Sequence, residues 1–295
     1  MYTKNLYELS GTICSKKATI YKNESVDTKA FVLYFHGGGL LYGNREDLPE
    51  RHLETLTAAG YAIIAFDYPL APAAKLDIIL EDVCESVNDY IDHPAHYLNT
   101  DDSLPLPFFV WGRSAGAYLC LIMTACGKLK QKPAGILSYS GYGFLSDNWF
   151  NSPSNYYNSL PAVPESCLNA IPQEIHTNGD LHTHYSVYVY ARQTGLWKSL
   201  FYEGREKFFF LDYSLRVHDK LPCPVFCAHS ISDTDVPYSE FLELCGKYNA
   251  KRFIVSKNMH DFDRMENDPD TVRLLDATVQ FMDRSLEKYR AYEKR

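Results

Sequence analysis

The chain has 295 residues, and its 29 Lys and Arg against 37 Asp and Glu give a formal net charge of -8. Hydrophobic residues make up 46% and charged residues 22%, which is typical of globular proteins and excludes disordered and collagen-like classes. The acidic balance argues against a nucleic-acid partner, because neutralising phosphates requires a basic face.

The sequence also lacks the patterns of membrane and secreted proteins. No stretch reaches the roughly 18 apolar residues needed to span a bilayer, and the N-terminus has no apolar signal-peptide core. The eight cysteines are scattered without a CxxC pair, which favours buried thiols in a reducing compartment. These observations predict a cytoplasmic protein without a membrane partner.

Strand-like apolar runs alternate with amphipathic helical patterns along most of the chain. The predicted strands are residues 30–35, 61–66, 107–111, 134–139, 224–228 and 252–255. The predicted helices are residues 47–59, 76–91, 115–126, 239–248 and 271–289. This alternation predicts an α/β fold with a mostly parallel central sheet and helices on both faces.

Residues 141–215 break the alternation. Sixteen of these 75 residues are aromatic, about 21% against 14% for the whole chain, and helical or strand patterns are weak. A structureless loop of this length is uncommon inside a domain, so an inserted cap subdomain is expected. The predicted organisation is a core of residues 1–140 and 216–295 that carries a cap of residues 141–215.

The strongest chemical signal is Gly112-Arg113-Ser114-Ala115-Gly116, a G-x-S-x-G motif between a predicted strand and a predicted helix. Small residues around the serine allow a sharp strand-to-helix turn that projects its hydroxyl above the sheet edge. The motif therefore predicts that Ser114 is a nucleophile.

Three glycines follow the strand of residues 30–35, in the sequence His36-Gly37-Gly38-Gly39. Glycines let the backbone approach a ligand closely and direct N–H groups toward it. We expect the N–H groups of Gly38 and Gly39, with that of Ala115, to form an oxyanion hole.

A serine nucleophile needs a base and an acid, which follow it in the order acid, then histidine. His260 lies in a polar loop after the last predicted strand, where open α/β sheets place their sites. The acid is expected after the preceding strand, where Asp233 and Asp235 are both candidates.

A metal site is the competing interpretation of three histidines, His176, His182 and His184. On a strand, His182 and His184 would face the same side. No carboxylate or cysteine completes a familiar ligand spacing, so the sequence predicts neither a metal nor another cofactor.

Together these motifs resemble the α/β-hydrolase superfamily, and within it the esterase branch of hormone-sensitive-lipase-like and acetyl-esterase-like carboxylesterases. The run DYPLAP at residues 67–72, followed by EDV at residues 81–83, resembles the DYRLAP…ED signature of that branch. DTDVP at residues 233–237 resembles the superfamily's D-x-x-V-P turn, which implies that Asp233 is the acid. Arg113 departs from the branch, which usually has aspartate at that position.

The resulting hypothesis is a serine carboxylesterase that hydrolyses small, short-acyl esters through Ser114, His260 and Asp233 and an acyl-enzyme. Its partner would be a small-molecule ester, and homo-oligomerisation stays open. Two alternatives remain: a serine peptidase or amidase of the same superfamily, and a catalytically silent hydrolase fold that binds a ligand.

Overall fold

A computed structural model of the chain describes residues 1–11, 13–98 and 105–293. These residues form one eight-stranded sheet with the strand order β1-β2-β4-β3-β5-β6-β7-β8. The strands are β1 (Thr3–Ser10), β2 (Ser15–Lys22), β3 (Ala30–Phe35), β4 (Tyr61–Phe66), β5 (Phe108–Arg113), β6 (Gly135–Tyr139), β7 (Val225–Ser230) and β8 (Lys251–Val255).

Ten α-helices are described along the chain. They are α1 (Glu50–Ala58), α2 (Leu76–Asp92), α3 (Pro94–Leu98), α4 (Ala115–Ala125), α5 (Asn155–Asn158), α6 (His184–Thr194), α7 (Trp197–Phe201), α8 (Glu206–Asp212), α9 (Tyr238–Tyr248) and α10 (Pro269–Glu293). The six predicted strands and five predicted helices all correspond to described elements, with shifts of a few residues at their ends.

The six strands from β3 to β8 are mutually parallel. The residues of β3 to β7 are buried throughout, which explains their continuous apolar sequences. Side chains of α2, α4 and α9 pack on one face of the sheet, and those of α1 and α10 pack on the other. The predicted α/β architecture is confirmed.

The N-terminal hairpin is an element that the sequence analysis did not predict. Strand β1 pairs antiparallel with β2, and β2 pairs antiparallel with β4, which extends the sheet at one edge. Most of β1 is exposed, so its polar residues give no buried-strand signal. The region before β3 thus contributes strands to the sheet.

Residues 141–215 lie between β6 and β7 and contain α5 to α8 but no described strand. Buried side chains of this segment, including Tyr142, Tyr188 and Trp197, belong to the same hydrophobic cluster as one face of the sheet. The segment therefore packs on the same side of the sheet as α2, α4 and α9. Its division from the core as a separate cap stays a prediction.

No helix in the described ranges combines the length and apolar character needed to cross a membrane. All eight cysteines are free thiols, four of them buried.

Candidate active site

Ser114 occupies a sharp turn between the last residue of β5 and the first residue of α4. Its backbone has φ 52° and ψ -117°, a strained conformation for a non-glycine residue. A Cβ at Gly116 would lie 2.0 Å from the carbonyl oxygen of Phe35, and one at Gly112 would lie 2.1 Å from the carbonyl carbon of Gly116. Both positions therefore require glycine, and the motif matches the turn for steric reasons.

The glycine loop that follows β3 lies beside this turn. Gly38 and Gly39 have φ of 100° and 59°, which only glycine adopts readily. Tyr68 supports the start of this loop through two contacts with His36. The two rings stack with 4.2 Å between their centroids, and the Tyr68 hydroxyl donates a hydrogen bond to the His36 carbonyl oxygen at 2.9 Å. Among the described residues, the N–H groups of Gly38 and Gly39 have no hydrogen-bond acceptor.

The histidine and one aspartate meet where β7 and β8 end. Nδ1 of His260 lies 2.9 Å and 2.8 Å from the two carboxylate oxygens of Asp233. Oδ1 of Asp233 also accepts the backbone N–H groups of Asp235 and Val236 at 2.8 Å and 3.0 Å. Asp235 instead pairs with other side chains, so the structure brings Asp233, of the two predicted candidates, to the imidazole.

The surroundings of this pair stabilise positive charge on the imidazole of His260 and negative charge on the carboxylate of Asp233. Burial alone would lower the pKa of His260, but the charge and hydrogen bond of Asp233 outweigh it and raise that pKa above its usual range. Burial alone would raise the pKa of Asp233, but His260, His229 and the Asp235 N–H outweigh it and lower that pKa. A positive charge that develops on His260 is therefore stabilised.

Ser114 and His260 line one cavity of about 810 Å³. Gly38 and Gly39 line the same cavity, as do four tyrosines: Tyr42, Tyr156, Tyr157 and Tyr185. Its wall thus combines the candidate catalytic groups with aromatic side chains, as small-molecule sites commonly do.

Arg113, beside Ser114, makes buried ion pairs that its sequence motif did not indicate. Its guanidinium is buried, with Nη2 2.7 Å from Oδ1 of Asp263 and 3.3 Å from Oδ1 of Asp261. Nε2 of His52 lies 3.2 Å from the other oxygen of Asp263. Burial alone would raise the pKa of Asp263, but Arg113 and His52 hold it well below its usual range. Because Asp261 and Asp263 follow His260, this network connects the turn of Ser114 to the loop of His260.

The three histidines of the metal hypothesis are only partly brought together. Nε2 of His184 lies 3.0 Å from Nε2 of His176, whereas His182 donates its backbone N–H to Asp180. His184 begins α6, so the alternation expected on a strand does not apply. Within the described ranges, no group of three or more His, Cys, Asp or Glu could hold a metal ion.

The chain is similar in sequence and in fold to known alpha/beta hydrolase proteins. A family model described as alpha/beta hydrolase fold matches residues 32–196. A Staphylococcus aureus (subsp. aureus Mu50) protein of unknown function is 27% identical, with a TM-score of 0.79 over 96% of this chain and 99% of that one. Carboxyl esterase 2 from Tuber melanosporum is 18% identical and shares the fold, with a TM-score of 0.68 over 97% of this chain and 88% of that one.

Among curated proteins, the non-reducing polyketide synthase adrD of Penicillium roqueforti is 26% identical over 144 residues. The match covers 46% of this chain but 6% of the synthase, so the chain spans a small part of that relative's length.

We predict that Arg113→Met lowers the free energy of unfolding by about 3–5 kcal/mol, because Asp263 would stay buried without the charge of Arg113. Urea unfolding measures the change. Arg51→Met, at an exposed position of α1, is the matched control and should change stability by less than about 0.5 kcal/mol. Equal stability of the two variants would contradict the prediction.

Proposed function

Because the chain belongs to the alpha/beta hydrolase fold family, we propose that it is a serine carboxylesterase that acts on small esters. The proposal rests on one observation: the strained Ser114 and the Asp233-bound His260 line the same cavity. Nucleophilic acyl transfer uses an exposed serine hydroxyl, an imidazole that accepts its proton, and a carboxylate that orients the imidazole.

In the acylation step, Oγ of Ser114 attacks the ester carbonyl carbon while Nε2 of His260 accepts the hydroxyl proton. Asp233 keeps the proton of Nδ1 in place, so Nε2 is the free basic nitrogen, and its charge stabilises the imidazolium that forms. The tetrahedral intermediate then collapses, and His260 returns the proton to the leaving alcohol. The product of this step is an acyl-Ser114 ester.

The negative charge of the tetrahedral oxygen would be held by backbone N–H groups. Gly38 and Gly39 lie in the loop after β3, and Ala115 begins α4, whose N-terminal dipole also favours negative charge. In the second half of the reaction, His260 takes a proton from a water molecule as its oxygen attacks the acyl carbon. His260 then returns that proton to Oγ of Ser114 as the bond between Oγ and the acyl carbon breaks and the carboxylic acid leaves.

The cavity supports compact substrates. Its tyrosine-rich wall is formed in part by α6 and the α5 region, and the longest helix of residues 141–215 has 11 residues. A lid that binds a lipid surface would need a long amphipathic helix with a broad exposed apolar face. We therefore propose short acyl groups, from acetyl to about butyryl, with aryl or sugar alcohols as leaving groups.

We predict that Ser114→Ala abolishes turnover of nitrophenyl acetate, with a loss on the order of 10⁴-fold or more, as expected for loss of a nucleophile. Ser199→Ala, at an exposed site in α7, is the control and should keep wild-type activity. A fluorophosphonate should label the wild type and not Ser114→Ala. Near wild-type turnover by folded Ser114→Ala would exclude the mechanism, and cleavage of amides rather than esters would favour a peptidase or amidase.

We predict that Asp233→Asn loses far more kcat than Asp235→Asn, on the order of 10⁴-fold, because asparagine favours the wrong imidazole tautomer. Steady-state kinetics of both purified variants on one nitrophenyl ester provides the comparison. A larger loss for Asp235→Asn would assign the acid role to Asp235.

We predict that kcat/KM for nitrophenyl esters is greatest between acetate and butyrate. Each methylene that fits contributes about 0.8 kcal/mol, whereas one that meets a rigid wall is rejected. A series from acetate to palmitate tests this, and a maximum at about ten carbons or beyond would contradict the short-acyl proposal.

A further inference from the structure

Helix α6 touches two catalytic loops through one side chain, Tyr188. A Cβ added at Gly39 would lie 2.1 Å from Cε2 of Tyr188, so the ring packs directly on the candidate oxyanion loop. At its other end, the hydroxyl of Tyr188 donates a 2.6 Å hydrogen bond to Oδ2 of Asp235. Burial, followed by the charge of Asp235, raises the pKa of Tyr188 well above its usual range, so the phenol keeps its proton.

Arg192, one turn further along α6, contacts the same aspartate. Its Nε lies 3.2 Å from Oδ1 of Asp235, and Nη2 donates to the Asp235 carbonyl oxygen at 3.2 Å. The guanidinium is buried beside the rings of Trp149, Tyr157 and Trp197, at 5.1 to 5.8 Å from their centroids. This packing fixes the cation where it meets Asp235.

Asp235 transmits this contact to the proposed acid by one hydrogen bond. Its backbone N–H donates to Oδ1 of Asp233, which in turn binds Nδ1 of His260. On the other side, Nε1 of Trp197 donates to the carbonyl oxygen of Gly39 at 2.8 Å. Residues of α6 and α7 therefore contact both the loop of Gly39 and the loop of Asp233.

We propose that Tyr188 and Arg192 are positioning residues that fix the position of the Asp233 loop relative to the Gly39 loop. The inference rests on the proposed serine hydrolase function and adds the contacts that align its acid with its oxyanion donors. Misplacing a reacting group by about 1 Å can lower a rate on the order of 10²-fold, so a contact outside the reaction can limit kcat.

The test compares Tyr188→Phe with Tyr190→Phe, the same change two residues on in α6, where no described hydrogen bond joins the hydroxyl to Asp235. Rates are expressed per active site titrated with a fluorophosphonate, which removes any effect of unfolded protein. We expect Tyr188→Phe to lower kcat about tenfold with KM within about twofold, whereas Tyr190→Phe matches the wild type. Arg192→Lys, which keeps the charge but loses the planar fork, should also lower kcat.

A double-mutant cycle separates positioning from an independent effect. If Tyr188 acts through Asp235, the loss in Tyr188→Phe/Asp235→Asn equals the larger single loss, because the second change removes nothing further. Multiplied losses, or a Tyr188→Phe variant as active as Tyr190→Phe, would overturn the inference while Ser114 labelling leaves the proposed function intact. A wild-type chain that is not labelled at Ser114 would contradict both.

Discussion

The close approach of the β5–α4 turn to the end of β3 is the constraint on which the site depends. No side chain fits at Gly116, because its Cβ would lie 2.0 Å from the carbonyl oxygen of Phe35. That contact puts the helix N-terminus directly beside the strand whose continuation is the glycine loop. Ser114 and the candidate oxyanion donors are therefore neighbours as a result of backbone packing alone. The positive φ of Ser114 is the local strain that this packing maintains.

Buried ion pairs of Arg113 and Arg192 then hold loops that lie beyond the ends of the strands. The loops after β3, β5, β7 and β8 come from distant parts of the chain. Arg113 reaches the loop of His260 through Asp263, and Arg192 reaches the loop of Asp233 through Asp235. Burying such pairs is weak evidence for added stability, because desolvation opposes their attraction. Their value here lies in geometry, since an alternative loop position would leave a buried charge unpaired.

Sequence patterns were sufficient where the determining contacts are local. Continuous apolar strands identified the parallel sheet, and Gly112 to Gly116 identified the turn, because each signal is contained within a few residues. The hairpin of β1 and β2 escaped prediction because β1 is mostly exposed and has no apolar run. The contact of Tyr188 with Asp235 escaped for a different reason: its partners are 47 residues apart and belong to no motif. The side chains of Asp233 and Asp235 are chemically alike, so residue type alone could not identify the one that contacts His260. The resemblance to the D-x-x-V-P turn favoured Asp233.

The same contacts limit how the segment of residues 141–215 can move. Rigid-body lifting of α6 would remove the Tyr188 ring from Gly39 and its hydroxyl from Asp235, and would separate the buried Arg192 from its counter-charge. Breaking a buried ion pair is strongly unfavourable, so an opening of this kind would remove contacts that hold the loops of Gly39 and Asp233. A lid that must open for every turnover is better built from contacts that are weak and separate from the reacting groups. Exposed Asp180 and half-buried Tyr185 also line the cavity, and entry of a small molecule beside them would leave the contacts of Tyr188 and Arg192 intact. Order in the site and resistance of α6 to displacement are thus two consequences of one set of interactions.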